Sequence, residues 1–313
     1  MMKYCGDRYK KGVLYLIVRY CYILLSYIII NMRRRKYVNK KYTLAICAIF
    51  KNEADFLKEW IEYHLLIGVD HFYLYNNFSD DNYLEVLSQY QDKGCITLID
   101  WPIQHGQKLA YKDCYLKFKD EVNWLAYIDL DEFICLKYEL DIKKWLHKFV
   151  KYPSVLINWK VFGTSGIIEH DKTRLVIEQY TSSYPLLSII GKSIINTSFD
   201  FDRFDNQDVH LFYSYYKIGN FRVKLLPVNE FSRFLYYWTP RYPLFAESKI
   251  QLNHYIYRSY MDFLYKNNVR GDAESSENEK RRKLVSFEAI ENQNITKDYV
   301  IQRFLTSLKV KMI

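Results

Sequence analysis

The chain has 313 residues, 50% of them hydrophobic and 26% charged, a size that can bury a substantial core and excludes a small disulfide-stapled protein. The formal net charge of +9 favours anionic partners: a phospholipid surface, nucleic acid or a phosphorylated substrate. RNP, zinc-finger and helix-turn-helix patterns are absent and the basic residues are mostly dispersed, so no nucleic acid partner is expected. The six cysteines (Cys5, Cys21, Cys47, Cys95, Cys114 and Cys135) fit neither a CxxC metal pattern nor a disulfide framework. Cys47 and Cys135 lie in apolar runs and read as buried free thiols, which points to a reducing compartment.

The first element is the apolar run Val13–Ile30, interrupted by Arg19 and Ser26 and flanked by Lys10 and Lys11 before and Arg33, Arg34, Arg35 and Lys36 after. It is at the short end of a membrane span, and no small-residue cleavage site follows it. Three readings stay open: a signal anchor, an interfacial helix lying among headgroups, and a helix packed on the domain. Residues 1–38 are therefore set apart as a membrane-associating segment, and 39–313 as the catalytic domain. The dense basic cluster after the run would keep that domain on the cytoplasmic face of an anionic membrane; a secretory lumen is the alternative.

From Tyr42 the texture becomes regular. Thr43–Phe50 reads as a buried strand, and Asn52 as the cap of a helix with Glu53 and Asp55 in its first turn and Gly68 closing it. His64 falls on that helix's apolar stripe and reads as a core histidine. His71–Tyr75 is a second strand, and the polar turn Asn76–Asp81 leads into a helix to about Tyr90. Cys95–Asp100, helix Gln107–Phe118 and strand Trp124–Ile128 follow. Strand and helix alternating over roughly ninety residues predicts a mostly parallel sheet with crossover helices. Later come a helix to about Val150 and strand-like runs at Ser154–Val161, Arg174–Tyr180 and Leu186–Ile195, then a charged tail after Gly271.

Asp129-Leu130-Asp131-Glu132 stands at the carboxyl end of the fourth strand, where open parallel sheets bind ligands. Alternation puts Asp129 and Asp131 on one side and Leu130 on the other. Two such carboxylates repel unless a cation sits between them, and Mg²⁺ or Mn²⁺ commonly bridges carboxylates to substrate phosphates. A solvated acidic turn is the plainer alternative. The turn Phe50-Lys51-Asn52-Glu53 and the turn with Asn77, Ser79 and Asp80 open on the same edge, and their backbone N–H groups suit a uracil or a phosphate.

The stretches AICAIFKNEADFLKEWIEYH, GVDHFYLYNNFSDDN, QKLAYKDC, WLAYIDLDEF, INWKVFGTSG, GKSII, DVHLF and LNHYIYRSYMDFLYKNNVRG, in this order, resemble glycosyltransferase family 92 and its bacterial relatives over about residues 42–283. The resemblance implies an α/β GT-A fold: a Rossmann-like nucleotide-sugar half and a mixed acceptor half. It implies a UDP-sugar donor, Mn²⁺ (or Mg²⁺), inversion, and transfer of a hexose, galactose in several members, to a saccharide or lipid-linked saccharide. Carried over by residue, the metal-binding DxD falls on Asp129 and Asp131, with His254 as a third ligand and His210 as its alternative. The donor side takes Phe50, Lys51, Asn52, Glu53, Asn77, Asp80, Gln107, Asp129 and Leu130. The acceptor side takes Trp159, Phe162, Gly163 and Ser165; Thr164 and Ile167 depart from the family's usual Ser and His. The general base is not identified; Glu178, Asp205 and Asp208 are its candidates, and Glu132 is expected to orient the metal site. A non-catalytic sugar-binding relative is the competing reading.

Overall fold

A computed structural model describes residues 13–33, 40–201, 204, 208–236, 247–270 and 284–313. Asp205, Arg34, Arg35, Lys36, Cys5 and most of the charged tail, on which expectations rested, lie outside the described residues.

The helix α1 (Val13–Met32) precedes the alternating region. There, β1 (Tyr42–Phe50), α2 (Ala54–Leu66), β2 (His71–Asn76), α3 (Tyr83–Asp92), β3 (Ile96–Asp100), α4 (Gln107–Phe118) and β4 (Val122–Tyr127) follow the predicted order. After the exposed Thr43, β1 is apolar to its end, and all of Leu44–Phe50 is buried, as in a parallel strand covered on both faces. Gly68 closes α2 at φ 102, a conformation that a side chain would oppose.

One eight-stranded sheet forms the centre, in the order β3-β2-β1-β4-β8-β6-β11-β5. The added strands are β5 (Glu132–Leu136), β6 (Ser154–Val161), β8 (Gly191–Asn196) and β11 (Ile250–His254); the short β7 (Ser182–Ser183) lies outside this sheet. β3-β2-β1-β4 pair in parallel, as do β6 and β11, whereas β8 runs antiparallel to both β4 and β6, and β5 antiparallel to β11. β8 thus joins the parallel first half to the mixed second half. A Cβ on Gly191 would stand 1.9 Å from the Ile157 carbonyl oxygen, so only glycine lets β8 close on β6.

Three local expectations are corrected. Asn52 does not cap α2: it sits at φ 51 with its side chain on Tyr265 and the Asp80 backbone, while Asp81 accepts from the Ala54 N–H at 2.8 Å. Arg174–Tyr180 is not a strand. After the short helix α5 (Ile142–Leu146), this stretch contains the single turn α6 (Val176–Gln179), whose Val176 and Ile177 N–H groups donate to the Glu59 carboxylate, a partner 117 residues or more away that no local pattern reveals. Leu186–Ile190 stays irregular, and only Gly191–Asn196 of the third run is a strand.

Candidate active site

The cluster forms where β1, β4 and β11 end. β4 ends at Tyr127, so the acidic residues stand in the turn after it and not in strand alternation; Leu130 is buried in the core, and Asp129 and Asp131 on either side of it are partly exposed. Asp129 is held from three directions. Gln107 in the first turn of α4 donates to Oδ1 at 2.8 Å, Tyr111 one turn on donates to the same oxygen at 3.2 Å, and Lys192 Nζ of β8 lies 2.9 Å from Oδ2. Asp131 meets Lys266 Nζ at 2.8 Å on Oδ2 and His254 Nε2 at 3.5 Å on Oδ1. His254 is the last residue of β11, and the imidazole lies against the Trp159 ring at 4.5 Å; His210 packs on Trp159 at 5.1 Å.

Glu132 lies under this layer, fully buried. Its carboxylate accepts from the Asp129 N–H at 2.8 Å and from Trp159 Nε1 at 2.6 Å, so it fixes both the acidic turn and the indole. Burial pushes Glu132 well above the usual carboxylate range; Lys192 opposes this, while Asp129 and Asp131 reinforce it.

The helix-entry residue Glu53 turns inward instead of toward solvent. It receives Arg258 at 2.7 Å and also Arg270. Arg258 is 1% exposed and adopts φ 56, a region costly for a large side chain. Its second guanidinium nitrogen donates to the Leu130 carbonyl at 3.1 Å, and its plane lies 3.6 Å above Phe56. Lys266 and Arg270 reach the site on a π-helical turn, Lys266–Arg270, that follows helix α7 (Tyr260–Tyr265).

The pKa directions follow from this pairing. Burial alone would raise Asp131, but Lys266, His254 and Arg258 outweigh it and hold the group well below the usual carboxylate range. Glu53 behaves alike: burial raises it, and Arg258, Arg270 and Lys266 bring it below its ordinary value. Burial pulls Lys266 down to about 8, against Asp131 and with Arg258 and Arg270. Lys192 is raised, because Asp129 and Glu132 more than offset its burial.

Other expected site residues fall in different places. Asn77 is buried and donates to the carbonyls of Trp101 and Ile103, so it ties the second-strand turn to the loop after β3. Phe50 is buried beside Tyr83, and Lys51 is half-buried. On the expected acceptor side only Trp159 meets the cluster. Phe162 is fully buried against Tyr255 and offers no face to a sugar. A Cβ on Gly163 would meet Glu291, and Ser165 Oγ accepts from the Thr181 and Ser182 N–H groups, so both serve packing. Glu178 pairs with Lys309 and Arg174, while Asp208 accepts from the His210 N–H at 2.9 Å.

Sequence reasoning assigned no role to Lys192, Arg258, Lys266 or Arg270. The usable signal was a lone lysine inside the apolar strand GKSII, and basic residues spaced through the aromatic stretch after His254. Among the described residues no group of three His, Cys, Asp or Glu side chains already stands in a metal-holding arrangement. The donor chemistry nevertheless suits a divalent ion: two carboxylates and an imidazole share one rim, and both carboxylates draw cations, here the two lysines.

A model described as glycosyltransferase family 92 matches residues 40–282. A glycosyltransferase family 92 protein of Oryza sativa subsp. japonica is 35% identical over 96 residues, 30% of this chain and 16% of that protein. Another, from Arabidopsis thaliana, is 32% identical over 102 residues, covering 32% and 18%. The Caenorhabditis elegans protein beta-1,4-galactosyltransferase galt-1 is 32% identical over 106 residues, covering 29% and 25%. The matched segments thus span a quarter or less of each of these three relatives. Among solved structures, S. aureus TarS 1-349 in complex with UDP is 12% identical with a TM-score of 0.34, covering 50% of this chain and 47% of that one.

Proposed function

The chain belongs to glycosyltransferase family 92, and from that premise we propose that it transfers a hexose from a UDP-sugar to a saccharide or lipid-linked saccharide, with inversion, at a membrane surface. One observation carries the reading. Asp129, Asp131 and His254, with Gln107 and Glu53 beside them, gather at the strand ends where α/β sheets bind nucleotides. Galactose is the first sugar to test, since one relative is named a galactosyltransferase.

Asp129, Asp131 and His254 would hold Mn²⁺ or Mg²⁺, which when bound supplies positive charge to a departing diphosphate. The chain's own cations act at the same place. Lys192 and Lys266 neutralise the two carboxylates, and their ammonium groups would be available to phosphate oxygens if those carboxylates held a divalent ion. Trp159 is fixed by Glu132 and flanked by His210 and by His254, which itself meets Asp131. An inverting attack needs a carboxylate to take the acceptor hydroxyl proton. Asp208 is favoured over Glu178 because it holds His210, which touches Trp159, whereas Glu178 is engaged by Lys309 and Arg174. The apolar helix, long and apolar enough to cross a bilayer, is read as the membrane contact, with the catalytic domain on the cytoplasmic side.

The lysine pairs favour a second reading, in which Lys192 and Lys266 hold the diphosphate without a metal. UDP titration calorimetry with and without Mn²⁺ separates the two. The metal reading expects affinity to rise at least about tenfold with Mn²⁺, and equal affinity in both buffers leaves the lysines as the only clamp. Asp131→Asn is expected to lower Mn²⁺-dependent UDP-sugar hydrolysis at least about a hundredfold, and unchanged turnover removes Asp131 from the mechanism.

A further inference from the structure

Helix α1 is apolar apart from Arg19, Ser26 and Asn31, yet only one stripe of it is covered. Tyr15 and Tyr22 pack on Tyr236, with ring centroids 5.8 and 5.7 Å apart, Ser26 Oγ accepts from the Leu226 N–H at 3.3 Å, and Ile29 and Ile30 are buried. Positions 15, 22, 26, 29 and 30 share one face of a helix, so α1 lies along the domain over nearly its whole length. Arg19 falls on the same stripe and is half-buried there, which turns its charge away from the outer face. That outer face is Ile17, Tyr20, Leu24, Tyr27 and Ile28, exposed at 42% to 67%.

A second apolar feature stands beside the helix end. Strands β9 (Ser214–Ile218) and β10 (Phe221–Leu225) form a separate two-stranded hairpin. Its tip exposes Ile218 at 49% and Phe221 at 78%, an unusual exposure for a phenylalanine, and Lys217 and Arg222 flank them, exposed as well. Arg33, one residue past α1, lies 4.0 Å over the Phe199 ring. Together with Tyr216, Lys217 and Asp200 it lines a cavity of about 220 Å³ between helix end and hairpin.

We propose that the outer face of α1 and the hairpin tip form one surface that seats the enzyme on an anionic phospholipid bilayer, with α1 in the membrane plane rather than across it. The proposal deepens the membrane reading given above and is independent of the donor chemistry. Length alone permits a span, since 20 residues rise about 30 Å. A spanning α1 would have to strip its packed stripe from the domain or draw the domain into the hydrocarbon. Lying flat, it keeps Tyr22, Ser26 and Ile30 on the protein and offers Tyr20, Leu24 and Tyr27 to lipid. Ile218 and Phe221 then enter beside it, with Lys217 and Arg222 at headgroup level.

The test uses the full chain with an amino-terminal tag, phosphatidylcholine vesicles with and without phosphatidylglycerol, and inside-out membrane vesicles of the expression host. Expected are at least tenfold more flotation with the phosphatidylglycerol vesicles, and tag and catalytic domain both digested by protease added outside the host vesicles. Ile218→Glu combined with Phe221→Glu is expected to lower vesicle binding at least tenfold while UDP affinity in solution is kept. A protected tag beside a digested domain overturns the in-plane helix and leaves the membrane reading standing. Absence of flotation with either lipid and of the protein from host membranes overturns both. Equal flotation with the two lipids, or unchanged binding of the hairpin variant, overturns the two-part anionic surface.

Discussion

Two buried polar clusters lie close together in this protein and resolve the same problem in opposite ways. At the strand rim, Asp131 and Glu53 are surrounded by Lys266, Arg258 and Arg270, and both carboxyls stay below their ordinary pKa in spite of burial. On α2, His64 and Glu59 are as deeply buried with no ion pair. Burial takes His64 down to about 3 against the bond to the Trp60 carbonyl, and takes Glu59 up to about 7 against the N–H groups of Val176 and Ile177. All four are at least largely buried, and counter-charge decides: the paired carboxyls keep their charges, whereas burial drives the unpaired groups toward their neutral forms.

The strongest way to break this contrast is to strip a counter-charge from the rim. Arg258→Ala leaves Glu53 with only Arg270 and removes the cap on the Leu130 carbonyl, and it is expected to cost about 3–5 kcal/mol in urea unfolding. Glu53→Gln combined with Arg258→Met should cost clearly less than Arg258→Ala, since the two most deeply buried charges go together and only the more exposed Arg270 loses a partner. A double variant as unstable as the single one would refute compensation as the organising principle of the rim.

The α2 pair is sharpened by pH. His64 is depressed in the folded state, so its stabilisation is present above about 6.5 and is lost as pH falls toward 3. Glu59 is raised, so its contribution is present below about 4.5 and is lost as pH rises through 7. Between pH 6.5 and 4.5 the two oppose each other. His71 and His210, also depressed by burial, add to the acid loss, so the protein is expected to lose stability over this window. Glu59→Gln keeps the shape and should steepen that loss by about 3 kcal/mol, and His64→Gln should shallow it by about as much, both read from denaturation midpoints across the window. Parallel profiles for the three proteins would remove both assignments.

The smallest expected effect concerns a surface carboxylate. Glu178, 18% exposed at its side chain and paired with Lys309 and Arg174, should tolerate Glu178→Gln with under about 1 kcal/mol lost and donor turnover within about threefold. A hundredfold loss of transfer would return Glu178 to the general-base role.

Much of the first half was legible because its information is local. Runs such as Thr43–Phe50 and Trp124–Ile128 declare buried strands by composition, α4 matched its expected bounds at Gln107–Phe118, and the acidic turn is four consecutive residues. Where a long-range partner ruled, local reading failed. Asn52 has the chemistry of a helix cap, but the neighbouring turn supplies Asp81 and draws Asn52 into a bridge to Asp80 and Tyr265. Val176–Gln179 looks like a strand until Glu59 is placed under it.

What the sequence determined by itself was the alternating sheet, the apolar helix and the acidic pair at a strand end, since periodicity and spacing are properties of neighbouring residues. Only the tertiary structure decided which charges oppose that pair. Lys192 comes from a strand more than sixty residues on, and Lys266 from a π-helical turn more than 130 residues on. Coulomb energy depends on distance through space and on the dielectric around the charges, and neither is written along the chain.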